Sequence, residues 1–345
     1  MKGLTYAFTA MMACGLVASG FTLPKTIQKS PSGAALSRTF SELFPQKSKL
    51  VEVAAASRFV TLRGHDDQVR LGQNGWIYLT QELRPQSEKV QHYQQHVQAI
   101  AKVKEQLKAQ GTTLVVLIVP TKARIYPEHL PALLPTGYLQ DGYQEVQNLL
   151  HQAGVQTIDA LTPLLEAKES SKEPLYYLSD THYNPLGAKV VADAAGAKLR
   201  TLFPDLPETR FNTTLKANLY ERPGDLIGLM SLQHAPAGMR PKGDMQQDEE
   251  TLAEESLNAG LLGDPTPGVV LTGSSYSLRA NFYGRLQQAS STKIINLARE
   301  GSGFDGSLRT YLKNPEPYPE VLIWEFSERF LYLPLDEKSP GVARP

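Results

Sequence analysis

The stretch that decides the fold is Gly268-Val269-Val270-Leu271-Thr272-Gly273-Ser274-Ser275-Tyr276-Ser277. Its first four residues form an apolar run, a glycine and serines follow, and a helical pattern begins after them. This order predicts a buried strand, a sharp turn and a helix. A serine in such a turn stands at the carboxyl edge of a parallel sheet, with its hydroxyl exposed and its backbone N–H at a helix start. That geometry is typical of a nucleophile.

A second segment supplies the base that a serine nucleophile needs near neutral pH. Ser179-Asp180-Thr181-His182-Tyr183-Asn184-Pro185 follows the apolar stretch Leu175–Leu178, which predicts another strand end, and its final Asn-Pro is typical of a helix start. In extended backbone, residues two apart project to the same side, so Asp180 and His182 can both face the serine. The carboxylate would orient and stabilise the imidazole.

Further strands alternate with helical patterns along the chain. This alternation implies βαβ crossovers and predicts an α/β three-layer sandwich with a mostly parallel sheet. An Asn74-Gly75 pair between two apolar runs predicts a hairpin near the start of the domain. The other predicted strands are Thr112–Val119, Val155–Asp159, Lys293–Leu297 and Val321–Phe326.

The chain divides into an export segment, an arm and one large domain. Gly3–Pro24 is uncharged after Lys2 and reads as an export signal, either cleaved or kept as a membrane anchor, so we expect a periplasmic protein. Strand and helix patterns break down between residues 203 and 267. The predicted parts are 1–24, signal or anchor; 25–66, helical arm; 67–335, main domain with 203–267 as a polar insertion or flexible excursion; and 336–345, tail.

Composition excludes several classes of function. The chain has 35 Lys and Arg against 35 Asp and Glu, and this balance, without a basic patch, argues against nucleic-acid binding. Its one cysteine, Cys14, lies in the export segment. The mature chain therefore has no disulfide, thiolate nucleophile or Cys-bound zinc. We expect neither a cofactor nor a metal.

Two pairs of charged side chains have a functional and a structural interpretation. His92 and His96 lie one helical turn apart, but no glutamate lies between them as in a zincin helix, so a solvated polar face is favoured. Lys122 or Arg124, in the loop after Pro120, either steadies an anionic group or is a solvated loop cation.

Three later features are interpreted mainly as structural. The turn Arg222–Leu226 is able to approach the site, but a structural loop is favoured. The loop Arg299–Gly303 lacks the spacing and the lysine of a phosphate-binding loop. Glu325 and Arg329 are expected to form a structural pair.

These segments together resemble one family. Gly72–Trp76, Val119–Lys122, Ser179–Asn184, Gly273–Ser277 and Ile323–Glu325, in this order, are similar to the AlgJ/AlgX family of alginate O-acetyltransferases. Members are SGNH-hydrolase-like, and the resemblance covers most of the chain from about Phe44 to Leu331.

The resemblance implies an exported acetyltransferase that acts on a polysaccharide hydroxyl, with Ser275, His182 and Asp180 as its triad. Asp and His precede Ser here, a permuted motif order similar to the family's. The register of the resemblance favours Ser275 over Ser274 or Ser277. The layout is closer to AlgJ, because the chain ends soon after its last strand. Implied partners are a polysaccharide acceptor, a membrane-bound O-acyltransferase as acetyl donor and other exopolysaccharide machinery.

Two alternatives stay open at this point. An exported carbohydrate acetylesterase would use the same triad with water as acceptor. A non-catalytic adaptor of an exopolysaccharide machine would make the serine turn purely structural.

Overall fold

The computed structural model describes residues 47–62, 67–84, 88–131, 134, 137, 142–254, 268–315 and 318–341. The chain divides into two compact units. In the described residues, the first unit holds helix α1 (Lys47–Leu62) and residues 234–239. The second unit holds the rest. The predicted export segment 1–24 lies outside the described residues, and no helix within them is long and apolar enough to cross a membrane.

The elements of the second unit alternate between strands and helices, as the sequence pattern predicts. In chain order they are β1 (Val69–Leu71), β2 (Ile77–Leu79), α2 (Lys89–Lys108), β3 (Thr113–Val119), α3 (Lys122–Ile125), α4 (Tyr143–Gln152), β4 (Gln156–Ile158), α5 (Leu161–Ser170), α6 (Pro185–Leu202), β5 (Phe211–Arg222), α7 (Asp225–Leu229), β6 (Asp244–Ala253), β7 (Val269–Thr272), α8 (Phe282–Ser290), β8 (Ile294–Asn296), α9 (Gly306–Tyr311) and β9 (Val321–Ser327).

The main sheet is fully parallel across its described strands, in the order β4-β3-β9-β7-β8. Successive residues of a strand face opposite sides. On one side Val115 and Leu117 join a core with α5, α6 and α8, whereas on the other Leu114 and Val116 join a core with α2, α4 and α9. The continuous apolar run of β3 is explained by burial on both faces. The α/β fold with its mostly parallel sheet is confirmed.

The predicted hairpin is present as β1 and β2, which pair antiparallel. Asn74 and Gly75 lie in its turn with φ of 54° and 83°, the left-handed region that an Asn-Gly pair adopts readily.

The apolar stretch Leu175–Leu178 is not the strand that the sequence predicts. Its backbone makes one isolated bridge, between Tyr176 and Tyr183, and the residues after it are bends. We call residues 177–182 the strap. The sequence analysis placed Asp180 and His182 on the same side by assuming an extended backbone. That assumption is wrong, because the backbone of the strap is irregular.

The predicted polar insertion 203–267 holds regular structure where the sequence suggested a flexible excursion. Strands β5 and β6 form a long antiparallel ribbon from the pair Phe211 and Ala253 to the pair Arg222 and Asp244. Thr213 and Glu249 join it to α8 through Gln288 and Arg285. β5 is mostly exposed and β6 is largely polar, so neither strand contains the apolar run by which the buried strands were predicted.

The paired histidines of α2 are buried, which contradicts the expected solvated face. The side chains of His92 and His96 are 8% and 2% exposed. Nδ1 of His92 lies 2.8 Å from the carbonyl oxygen of Tyr332, and Nδ1 of His96 lies 2.8 Å from that of His92. Burial lowers the pKa of His96 to about 4.

His96 is predicted to make the fold sensitive to mild acid. Its ordinary pKa is 6.5, so the unfolded chain binds more protons than the folded one between pH 6.5 and 4. Stability should fall as the pH falls through this window, by about 3 kcal/mol in total at its lower end. Urea unfolding of the native protein and of His96→Gln across this range checks it. Equal pH dependence in both proteins would contradict the assignment.

Candidate active site

The serine turn follows β7 at the carboxyl edge of the sheet, as predicted. The predicted helix does not begin directly after the serines. Ser275–Ser277 form one turn of 3-10 helix, and α8 begins later, at Phe282. The N–H of Ser275 has no hydrogen-bond acceptor among the described residues. It is therefore available to an oxyanion beside the Ser275 hydroxyl.

Glu325 fixes the conformation of this turn. Its buried carboxylate accepts the Ser274 N–H at 2.7 Å, the Ser274 hydroxyl at 2.9 Å and the Ser277 hydroxyl at 2.8 Å. Burial raises the pKa of Glu325, although these donors oppose that effect. The expected pair with Arg329 is wrong, since Arg329 bonds to Glu82 at 3.1 Å. Ser275 is left as the hydroxyl of the three that does not bind Glu325.

The three predicted site residues are brought together in one chain of hydrogen bonds. Ser275 Oγ lies 2.7 Å from Nε2 of His182, and Nδ1 of His182 lies 2.5 Å from Oδ1 of Asp180. Oδ1 of Asp180 also accepts the His182 backbone N–H at 3.0 Å. Burial opposes the charge of Asp180, but the hydrogen bonds and charge of His182 prevail and hold the pKa of Asp180 well below its usual range. An ionised carboxylate therefore orients the imidazole toward the serine.

Lys122, which is buried with 1% of its surface exposed, holds the strap through hydrogen bonds to its backbone. Its ammonium donates to the carbonyl oxygens of Tyr177, Leu178 and Asp180 at 3.1, 3.0 and 2.7 Å. It also lies 5.7 Å from the ring centre of Trp76. Burial lowers the pKa of Lys122 to about 8.

The expectation that a cation of this loop is solvated is wrong, because both are buried. The donors of Lys122 are directed to backbone carbonyls rather than to an anion or to water. Arg124 is buried as well, and its Nε lies 2.7 Å from Oε2 of the buried Glu328.

The insertion contributes two carboxylates to the strap. Asp244 accepts the N–H groups of Leu178 and Ser179 and the Ser179 hydroxyl. Asp225, in the turn for which a structural loop was favoured, accepts from the backbone and hydroxyl of Thr181 and lies 3.6 Å from Nδ1 of His182. The turn Arg222–Leu226 does reach the site.

Asp180, His182 and Asp225 have one potential ligand atom each within 4.8 Å of one another, which suits a metal ion by distance. Their hydrogen bonds account for this arrangement without an ion. Nδ1 of His182 faces both carboxylates, and Nε2 is directed to Ser275.

The sheet and serine turn are those of an SGNH hydrolase-like domain, and residues 69–328 match the family model described as "SGNH hydrolase-like domain, acetyltransferase AlgX". The chain belongs to this AlgX acetyltransferase family. The acyltransferase class expected from the sequence is thereby confirmed.

Relatives and solved structures are consistent with this membership. The chain is 30% identical to the "Probable alginate O-acetylase AlgJ" of Pseudomonas aeruginosa, over 86% of this chain and 79% of that protein. The structure is similar to the O-acetyltransferase domain of Pseudomonas putida AlgJ, with a TM-score of 0.67 and 30% identity over 78% and 93% of the two chains. Pseudomonas aeruginosa AlgX is also similar, with a TM-score of 0.59 and 26% identity over 75% and 61%.

Sequence reasoning missed the supporting residues Glu325, Asp244 and Asp225 at this site. Glu325 was paired with the wrong cation, and Asp244 lay within the predicted polar insertion 203–267 without being singled out. For Asp225 a weak signal was present, because Gly224 before it permits close backbone approach. A Cβ on Gly224 would lie 2.1 Å from the Ser179 carbonyl oxygen.

Replacing Lys122 is predicted to unfold the strap. Lys122→Met keeps the apolar stem but leaves the carbonyl oxygens of Tyr177 and Asp180 without their donor, whereas that of Leu178 keeps its bond from the Ile77 N–H. We therefore expect a loss of about 3 kcal/mol in the free energy of unfolding. Urea denaturation measures it. Lys189→Met is the matched control, because Lys189 is half-exposed and pairs with Asp193 on the surface, and it should cost less than about 0.5 kcal/mol. Equal stability of the two variants would contradict the anchoring role.

Proposed function

We propose that this protein is an exported O-acetyltransferase that moves acetyl groups onto hydroxyls of an exopolysaccharide through an acetyl-serine intermediate. Ser275 is the nucleophile, His182 the general base and acid, and Asp180 the carboxylate that orients His182. The observation that carries the proposal is the chain of hydrogen bonds from Ser275 through His182 to Asp180, in a member of an acetyltransferase family.

In the first half of the reaction, Nε2 of His182 takes the proton of the Ser275 hydroxyl as Oγ attacks the acetyl carbonyl of the donor. The oxyanion of the tetrahedral intermediate faces the free N–H of Ser275. The intermediate collapses to acetyl-Ser275, and the protonated His182 gives its proton to the departing donor group. Asp180 stays ionised and stabilises the imidazolium throughout.

In the second half, a sugar hydroxyl replaces the donor. His182 takes the proton of that hydroxyl while its oxygen attacks the acetyl-serine carbonyl. Collapse returns the proton to Ser275 and releases the acetylated sugar, so atoms and charge balance over the cycle. Donor and acceptor use the same serine in turn, and ping-pong kinetics follow.

The partners follow from this cycle and from the relatives. AlgJ relatives carry alginate O-acetylase in their names, which supports a polysaccharide acceptor and neighbours in an exopolysaccharide machine. An exported enzyme needs a donor brought across the membrane, and a membrane-bound O-acyltransferase meets that need. An exported carbohydrate acetylesterase would differ in one respect, with water as the acceptor.

Brief exposure to 4-nitrophenyl acetate should place one acetyl group on Ser275, detected by intact-protein and peptide mass spectrometry. Oligosaccharide added afterwards should remove the label and become acetylated. Release of acetate alone, with no sugar product, would favour the esterase. No label at all would favour the non-catalytic adaptor.

Alanine variants of the neighbouring serines test which of them is the nucleophile. Ser275→Ala should lose the label with a stability change of no more than about 0.5 kcal/mol. Ser277→Ala should keep the label, although loss of its bond to buried Glu325 costs about 1 kcal/mol. A label on Ser274 or Ser277, or one that persists in Ser275→Ala, would overturn the assignment.

Export is the remaining part of the proposal, supported by the uncharged stretch Gly3–Pro24. A reporter that is active in the periplasm alone, fused after Pro345, should be active. A well-expressed but inactive fusion would count against export.

A further inference from the structure

We propose that Asp225 is a positioning residue, a second carboxylate that holds His182 in place and stabilises its protonated form. The proposal rests on the function proposed above and adds a residue to the triad. Asp225 comes from the insertion, 43 positions after His182, which is why its proximity to the imidazole was not evident from local spacing.

The backbone around Asp225 has little freedom to move. A Cβ added to Gly224 would meet the Ser179 carbonyl oxygen at 2.1 Å and the Asp180 nitrogen at 2.6 Å. The Gly224 N–H donates to the Ser179 hydroxyl at 3.1 Å, and the Leu226 N–H lies 3.3 Å from the Ser179 carbonyl oxygen. The turn is packed directly on the strap.

Asp225 then contacts each residue of the Asp180–His182 segment. Its N–H donates to Oδ2 of Asp180 at 3.0 Å, the carboxylate oxygen that does not bind the imidazole. Its own carboxylate accepts the Thr181 N–H at 2.8 Å and the Thr181 hydroxyl at 2.5 Å. Oδ2 of Asp225 lies 3.6 Å from Nδ1 of His182, too far for a hydrogen bond but close enough for charge attraction.

The charge of Asp225 acts on several basic side chains, with Lys122, Arg279 and Arg329 interacting from beyond contact distance. Asp180 shares its charge with Arg279, whose guanidinium lies 3.7 Å from Oδ2. For Asp225, His182 is the basic side chain in contact within the described residues, and its other partners are neutral donors of Thr181.

The remaining groups around His182 do not replace Asp225. Glu325, on β9, interacts with the imidazole by charge, and its oxygens are occupied by Ser274 and Ser277 of the serine turn. The Tyr276 ring packs 4.6 Å from the imidazole centre. Lys122 binds the Asp180 carbonyl from below the strap, and its positive charge opposes an imidazolium.

A charge at this distance matters when the proton moves. His182 is neutral before attack and positive once it has taken the serine proton. A carboxylate on the Nδ1 side therefore stabilises the transition state more than the resting state, which is the condition for a faster reaction. Burial, and next the charge of Asp180, raise the pKa of Asp225, so milder acid than an ordinary aspartate requires protonates Asp225 and removes this effect.

The test is Asp225→Asn in the full chain. The amide keeps the shape of the side chain and the backbone bond to Asp180, and its oxygen accepts the Thr181 N–H. Its NH2 group faces the Thr181 hydroxyl, which can turn to accept from it, so the variant removes the charge and reverses one hydrogen bond. The probe is 4-nitrophenyl acetate, with acetyl-Ser275 formation measured against pH. We expect kcat to fall about tenfold with KM unchanged.

The pH profile gives a readout that a purely structural role would not move. Without the second carboxylate the imidazolium is less stable, so His182 stays neutral to lower pH. The acid limb of the profile should move down by about one pH unit. Asp244→Asn is the matched control, because Asp244 binds the same strap but contacts Leu178 and Ser179 instead of the imidazole. Its acid limb should stay in place. An unmoved limb in Asp225→Asn, or equal shifts in both variants, would overturn the proposal.

A second measurement separates this inference from the proposed function. NMR titration of the His182 ring in Ser275→Ala, with and without Asp225→Asn, needs no turnover. A shift of the ring signals' response to lower pH on removing the Asp225 charge supports the coupling even if the native protein forms no acetyl-serine. No change in that titration would overturn the role of Asp225, whatever the enzyme assay gives.

Discussion

The position of His182 depends on a buried ammonium group. The strap that carries this histidine is irregular, and among its carbonyl oxygens only that of Leu178 accepts from a described strand, through the N–H of Ile77 on β2. Lys122 supplies the missing donors from below, and Asp244 supplies acceptors for the strap N–H groups. Because unpaired backbone groups are costly when buried, these charged side chains take the part that a sheet ladder plays elsewhere. Side chains from distant elements thus make hydrogen bonds that the irregular backbone of the strap does not make with a strand.

Two buried carboxylates hold the two halves of the candidate site, one the serine turn and the other the imidazole. Glu325, from the central strand β9, orders the serine turn and binds the hydroxyls of Ser274 and Ser277. Asp180 orders the imidazole. Ser275 therefore differs from Ser274 and Ser277 because its hydroxyl does not bind Glu325 and is available to His182.

The sequence predicted what depends on local pattern and missed what depends on distant pairing. The apolar run of β3 and the Asn74-Gly75 turn give local signals, and both elements were predicted correctly. The strap was misread as a strand because Leu175–Leu178 is apolar and nothing nearby reveals Lys122, more than 50 residues earlier in the chain. Ser275, His182 and Asp180 were proposed from their motifs, and the structure brings them together. Asp225 and Asp244 were not, since their partners are set by tertiary contacts.

The ribbon of β5 and β6 constrains how this scaffold can be altered. One end is fixed to α8 through Thr213 and Glu249, and the other ends at Arg222 and Asp244, beside the strap. The length of the ribbon therefore sets where the segment between β5 and β6, which contains Asp225, lies relative to the strap. A single-residue deletion in either strand would shift the register by one and rotate side chains to the opposite face. Chimeras between relatives should therefore exchange residues 211–253 as one cassette, because grafting one strand alone would misplace both aspartates.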